Sequence, residues 1–127
     1  MTLNEANTFT GTTSIAAGTL ITGIAGALQD STLNYVTGGG TLSFGTLTTA
    51  TLGGLTGNQD LILANATNAG VNVLIGNNNS STAYSGNLAG SNAVLLTSQT
   101  GSTNSNVLFV ANTSNTSLCL LYTSRCV

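Results

Sequence analysis

The side chains able to do chemistry on this chain are few and can be named one by one. They are the carboxylates Glu5, Asp30 and Asp60, the thiols Cys119 and Cys126, and one guanidinium, Arg125; histidine is absent. Without imidazole, neither a histidine general base nor a histidine metal ligand can be built. Asp30 and Asp60 are the only candidates for a paired-carboxylate site of the glycosidase kind, which needs its carboxyls about 5–10 Å apart. Each follows a glutamine and precedes an apolar run, at Gln29-Asp30-Ser31 and Gln59-Asp60-Leu61. That context predicts solvated residues at equivalent corners of a repeating structure, and no catalysis. A single basic residue cannot release counterions from a nucleic acid, so nucleic-acid binding is not expected. Gly38-Gly39-Gly40 has no lysine after it and no helix to lend a dipole, so a chain corner is expected there, not a phosphate cradle. No Gly-Gly pair leads to the aspartate of a calcium-binding nonapeptide repeat. No cofactor and no metal site are expected.

Ring and hydroxyl chemistry is what remains. Tyr35, Phe44, Tyr84 and Phe109 would stack on sugars if exposed, with Tyr35 and Tyr84 the candidate carbohydrate contacts. Burial in a narrow core is the expected fate of most of the four. Thr46-Leu47-Thr48-Thr49-Ala50-Thr51 is threonine-rich, but its spacing is too irregular for a flat ice-binding array. Asn65-Ala66-Thr67, Asn79-Ser80-Ser81 and Asn112-Thr113-Ser114 fit the glycosylation pattern, as chance provides in a chain this rich in Asn, Ser and Thr.

The elements that must position these groups follow from composition. Charged residues make up 3% of the chain, against about 25% in ordinary soluble domains, so the surface must be hydroxyl, amide and glycine. Hydrophobic residues at 41% suffice for one core in 127 residues. Thr, Val and Ile favour pleated structure, and helix formers are scarce. Strands are predicted at Thr19–Thr22, Thr32–Val36, Thr41–Phe44, Thr49–Leu52, Leu61–Ala64, Val71–Ile75, Ala83–Leu88, Ala93–Thr97 and Val107–Ala111. Turns are predicted at Gly38-Gly39-Gly40, Gly53-Gly54, Gly57-Asn58, Gly76-Asn77-Asn78-Asn79 and Gly101-Ser102. Gly18, Gly23 and Gly26 oppose a helix over Ala16–Gln29. Short strands, very short loops, small aliphatics and uncharged polar residues together predict an all-β solenoid. Stacked parallel strands superpose like residues, so charge depletion suits that geometry. No apolar run reaches membrane-spanning length and the start has no secretory leader, so membrane insertion is not expected.

The segment Cys119-Leu120-Leu121-Tyr122-Thr123-Ser124-Arg125-Cys126-Val127 stands apart, holding both thiols and the guanidinium. Its codons can be written TGT CTC TTA TAC ACA TCT AGA TGT GTA, a transposon mosaic end joined to its own reverse complement, with TAA next. The expected organisation is a solenoid over 1–118 and a translated library adapter over 119–127, within a longer protein. The alternative is a genuine strand with a Cys119–Cys126 pair.

Residues 3–20 resemble a known family. Leu3-Asn4-Glu5-Ala6-Asn7-Thr8-Phe9-Thr10-Gly11-Thr12-Thr13-Ser14-Ile15-Ala16-Ala17-Gly18-Thr19-Leu20 is similar to the autotransporter-associated β-strand repeat, approximately L-x-G-x-N-T-Y-T-G-G-T-T-I-x-x-G-T-L. Asn7, Thr8, Thr10, Gly11, Thr13, Ile15, Gly18, Thr19 and Leu20 match; Phe9 replaces tyrosine, while Glu5 and Thr12 replace glycines. Gly40-Thr41-Leu42-Ser43-Phe44, Leu52-Gly53-Gly54-Leu55-Thr56-Gly57 and Tyr84-Ser85-Gly86-Asn87-Leu88-Ala89-Gly90-Ser91 resemble further pieces of such proteins. The resemblance implies a right-handed parallel β-helix in the passenger of a bacterial autotransporter, secreted and held at the outer membrane. It implies a non-catalytic stalk whose partners are neighbouring coils of the same chain. The alternative function is an adhesin or carbohydrate-binding module contacting polysaccharide or a cell surface.

Overall fold

A computed structural model describes residues 1–90, 94–97, 108–113 and 119–122, with side chains over 1–90. The described residues form twelve strands and no helix: β1 (Thr2–Leu3), β2 (Thr12–Ser14), β3 (Thr19–Thr22), β4 (Leu28–Tyr35), β5 (Thr41–Ser43), β6 (Thr49–Gly57), β7 (Leu61–Ile62), β8 (Asn72–Ile75), β9 (Thr82–Ala89), β10 (Val94–Thr97), β11 (Leu108–Thr113) and β12 (Cys119–Tyr122). Every strand pair is parallel. Parallel neighbours require the chain to travel round before it pairs again. Here it does so in short coils, so hydrogen-bonded partners on adjacent coils lie from 18 to 28 residues apart. The result is a β-solenoid of about three turns.

Three columns of strands form the walls. One is β1-β3-β5; a second runs from β2 through β4, β6 and β9 to β11; a third runs from β6 through β8 and β10 to β12. Strand alternation sends one side chain in two to the axis. Register then stacks like upon like: Leu28, Leu52 and Ile75 superpose, as do Leu33 with Leu55, Ala50 with Val73, and Leu61 with Leu88. These side chains are buried in one continuous cluster. Burying such a side chain stabilises by about 1.5–3 kcal/mol relative to leaving it exposed.

Glycine decides the local geometry at two places. Between Leu28 and Thr32, β4 carries three residues against one on β6, a bulge opposite Gly53. A Cβ on Gly53 would lie 2.6 Å from the Asp30 carbonyl carbon, so only glycine lets the strands pass. At Gly57 the chain leaves β6 with φ of 109°, a conformation glycine adopts without strain, against the Tyr35 backbone.

The first wall is interrupted on the coil after β5. Ala64 and Gly70 there form an isolated antiparallel bridge around an exposed turn at 66–69. Asn65 ties that turn down. Its Nδ2 donates to the Leu47 carbonyl at 3.1 Å, and its Oδ1 accepts from the Thr67 and Ala69 amides, each at 3.0 Å.

Expected and observed elements differ in instructive ways. Gly53-Gly54 is predicted as a turn but lies inside β6, as the close approach to the β4 bulge requires. β4 begins at Leu28, because the polar run Gln29-Asp30-Ser31 is a bulge within a strand. β1 and β2 were not predicted; at two and three residues they are too short to show alternation. β12 lies in the segment that holds both thiols and the guanidinium, and its backbone pairs with β10 from Val94↔Cys119 to Thr97↔Tyr122. Gly101-Ser102, the ends of two predicted strands at Ala93 and Val107, Ser114, Arg125 and Cys126 lie outside the described residues, as do the side chains of Phe109, Asn112 and Cys119.

Candidate functional site

The outward face of the second wall carries the most regular chemistry. Ser14, Asn34 and Thr56 superpose through the β2-β4-β6 register. Asn34 Nδ2 donates to Ser14 Oγ at 3.5 Å, and Thr56 Oγ1 donates to Asn34 Oδ1 at 3.3 Å. Beside them Thr12 and Thr32 superpose, and the next place in that column is Gly54. A Cβ on Gly54 would meet Thr32 and Thr82, and Thr32 Oγ1 instead accepts from Asn78 Nδ2 at 2.9 Å. Asn77 reaches back likewise, donating to the Gln29 carbonyl at 3.0 Å, 48 residues away in sequence. Backbone amides of both asparagines hang from Leu52 and Gly53 on the coil between. Two consecutive amides therefore bind three coils together. A third ladder joins Thr19 Oγ1 and Thr41 Oγ1 at 3.1 Å.

The two candidate carbohydrate contacts lie elsewhere. Tyr35 and Tyr84 are 5% and 2% exposed, and Phe44 is buried beside them. Alternation along β4 and β9 turns both tyrosine rings inward, and each hydroxyl finds a backbone partner. Tyr35 Oη accepts from the Leu42 amide at 3.3 Å, and Tyr84 Oη donates to the Gln59 carbonyl. Burial pushes the Tyr84 phenol well above its ordinary value; the Asp60 charge and the Tyr35 phenol add to the shift. Gln59 Nε2 donates to the Gly40 carbonyl at 3.2 Å, and its buried Oε1 has no partner among the described residues. The cluster joins the Gly38-Gly39-Gly40 corner, which is a turn as expected, to the coil above it.

The carboxylates are not brought to equivalent corners. Asp30 lies in the β4 bulge, where Oδ1 accepts from Asn77 Nδ2 at 3.4 Å. Asp60 lies in the turn after β6, where Oδ1 accepts from the Asn87 amide at 2.9 Å. The physical reason is the bulge, which absorbs the first Gln-Asp pair into a strand while the second stays in a corner. Each carboxylate ties one coil to another. Among the described residues no group of three or more His, Cys, Asp or Glu is placed to hold a metal ion, and no helix is long and apolar enough to cross a membrane.

Of the glycosylation patterns, Asn65 is buried and its amide is engaged, whereas Asn79 lies in an exposed turn with φ of 61°. Sequence alone did not reveal that difference, because it depends on which turn replaces a strand. One apolar groove of about 320 Å³ opens at the start of the stack, lined by Leu3, Phe9, Ile15, Ala16 and Leu20.

No protein-family model, curated protein or solved structure matches the chain. What the geometry provides is a wall of hydroxyl and amide ladders around a buried apolar core that includes Tyr35, Phe44 and Tyr84.

Proposed function

We propose that this chain is a structural stalk segment, non-catalytic, of a secreted or surface-exposed passenger of the autotransporter kind. The observation that carries the reading is the axial register that core and ladder share from coil to coil. Leu28, Leu52 and Ile75 stack inside while Ser14, Asn34 and Thr56 bond coil to coil outside. Such a stack transmits length and stiffness, and its stability is roughly a sum of coil and coil-to-coil contributions. The similarity of residues 3–20 to the autotransporter-associated repeat supports the outer-membrane placement. The partners on this reading are neighbouring coils of a longer chain. An adhesin or polysaccharide-binding role would need exposed rings along one wall; Tyr35 and Tyr84 are inside, which favours the stalk.

The test is recovery of the gene by long reads prepared without transposon adapters. The proposal expects a long frame with further Asn-Thr-Tyr/Phe-Thr-Gly units and a C-terminal barrel. A frame ending at Val127, with both cysteines encoded, would overturn it.

A further inference from the structure

Three consecutive asparagines, Asn77-Asn78-Asn79, occupy the corner between β8 and β9. The two earlier coils pass this corner inside a strand, within β4 and within β6. Residues 76–81 are therefore extra length, and they lie outside the stack. Asn77 and Asn78 hold this loop against the wall of earlier coils through Gln29, Asp30 and Thr32. The loop thus sits on the side of the solenoid, where coils added before or after leave it uncovered. Asn79 is exposed there, with φ of 61° and its backbone amide donating to the Gly76 carbonyl at 3.1 Å. Ser80 and Ser81 are exposed beside it.

An N-x-Ser/Thr pattern is an acceptor for an asparagine-linked sugar where it lies at a surface. Side chains are described for Asn65-Ala66-Thr67 and for the overlapping Asn78-Asn79-Ser80 and Asn79-Ser80-Ser81. Asn65 is 9% exposed, and its Nδ2 donates to the Leu47 carbonyl. Asn78 is half-buried; its Nδ2 donates to Thr32 Oγ1 and its Oδ1 accepts from the Ser80 amide at 3.1 Å. Both of those side-chain nitrogens are spent on holding the fold. Of the three asparagines only Asn79 is exposed.

We infer that Asn79 is a glycosylation site, taking a hexose from a sugar activated as its diphosphate ester. In the transfer the bond from Asn79 Nδ2 to the sugar C1 forms. The C1–O bond to the diphosphate breaks, its electron pair leaving on the phosphate, and one amide proton passes to the base of the transferase. A hexose has a physical use on this surface. Charged residues are 3% of the chain and the net charge is −2, so little repulsion keeps copies apart. Sugar hydroxyls add hydration without setting like charges in register on stacked strands. The inference goes beyond the stalk reading and rests on the fold alone.

The experiment incubates the full 127-residue chain with UDP-glucose and a soluble asparagine glucosyltransferase of N-x-Ser/Thr specificity. Peptide mass spectrometry then locates the hexose. Labelling is expected on Asn79, with Asn65 and Asn78 labelled at least about tenfold less, the factor for opening a contact worth roughly 1.4 kcal/mol. Ser81→Ala removes the hydroxyl of the Asn79 pattern and should abolish labelling. Ser80→Ala breaks only the Asn78 pattern and should leave labelling intact. Both variants are checked for folding by β circular dichroism. A free peptide of residues 62–70 should accept hexose at Asn65, because burial and not local sequence protects it in the fold. No hexose on Asn79, equal labelling of Asn65 or Asn78 in the folded chain, labelling that survives Ser81→Ala or is lost with Ser80→Ala, or refusal of the free peptide would each overturn the assignment.

Discussion

At the scale of single residues, glycine and tyrosine hold the coils in place. Gly57 has φ of 109° against the Tyr35 backbone. Gly57→Ala should destabilise by about 1–3 kcal/mol, the usual cost of a strained backbone, and urea denaturation would measure it. Tyr84 gives a pH dependence whose sign is fixed by burial. Its phenol titrates higher in the folded chain than unfolded, where the ordinary value is 10.0. The stabilisation is therefore complete below that value and is lost as pH rises toward the folded pKa. Alkaline unfolding should track tyrosinate absorbance, and Tyr84→Phe should flatten the stability profile above that pH. An unchanged alkaline limb in the phenylalanine variant would remove Tyr84 as its cause.

At the scale of elements, the stack separates inward from outward positions sharply. Leu55 lies on β6 against Leu33 of β4, wholly buried. Leu55→Ala should cost about 2–5 kcal/mol, with the larger figure where the cavity cannot collapse. Ile62→Ala, at 65% exposure, should stay within about 0.5 kcal/mol in the same denaturation series. Strand position was legible where turn residues bound a short apolar run: Thr19–Thr22 is a strand between the expected bounds. Less legible was the use of glycine. Gly53-Gly54 looks like a corner because its reason for being glycine, the bulge at Gln29-Asp30-Ser31, lies on another coil. The same distance hid the roles of Asn77 and Asn78, since no local pattern reveals a bond to a residue 48 positions away. For the candidate site, the sequence identified the aromatic set and the burial of most of it, but not which backbone groups the tyrosine hydroxyls would meet. Coil stacking settles that.

At the scale of the whole molecule, the scarcity of charge has a measurable outcome. Three carboxylates and one guanidinium leave little for salt to screen. Raising sodium chloride from roughly 0.01 to 1 M shortens the Debye length from about 30 to 3 Å. Stability over that range should hold within about 0.5 kcal/mol, read from denaturation midpoints. A large shift would mean that ion pairs, not stacked amides and aliphatics, hold the coils.

The tight turn at 66–69 gives the rod a place for attachments. Asn65 fastens one root to the Leu47 carbonyl of the preceding coil and holds the other by accepting from the Ala69 amide, so the tip can be lengthened without disturbing the pitch. Each doubling of such a tip costs only about 0.6 kcal/mol in closure entropy. Recognition loops or whole inserted modules can be mounted there like branches on a trunk, each at a height set by the number of coils beneath it.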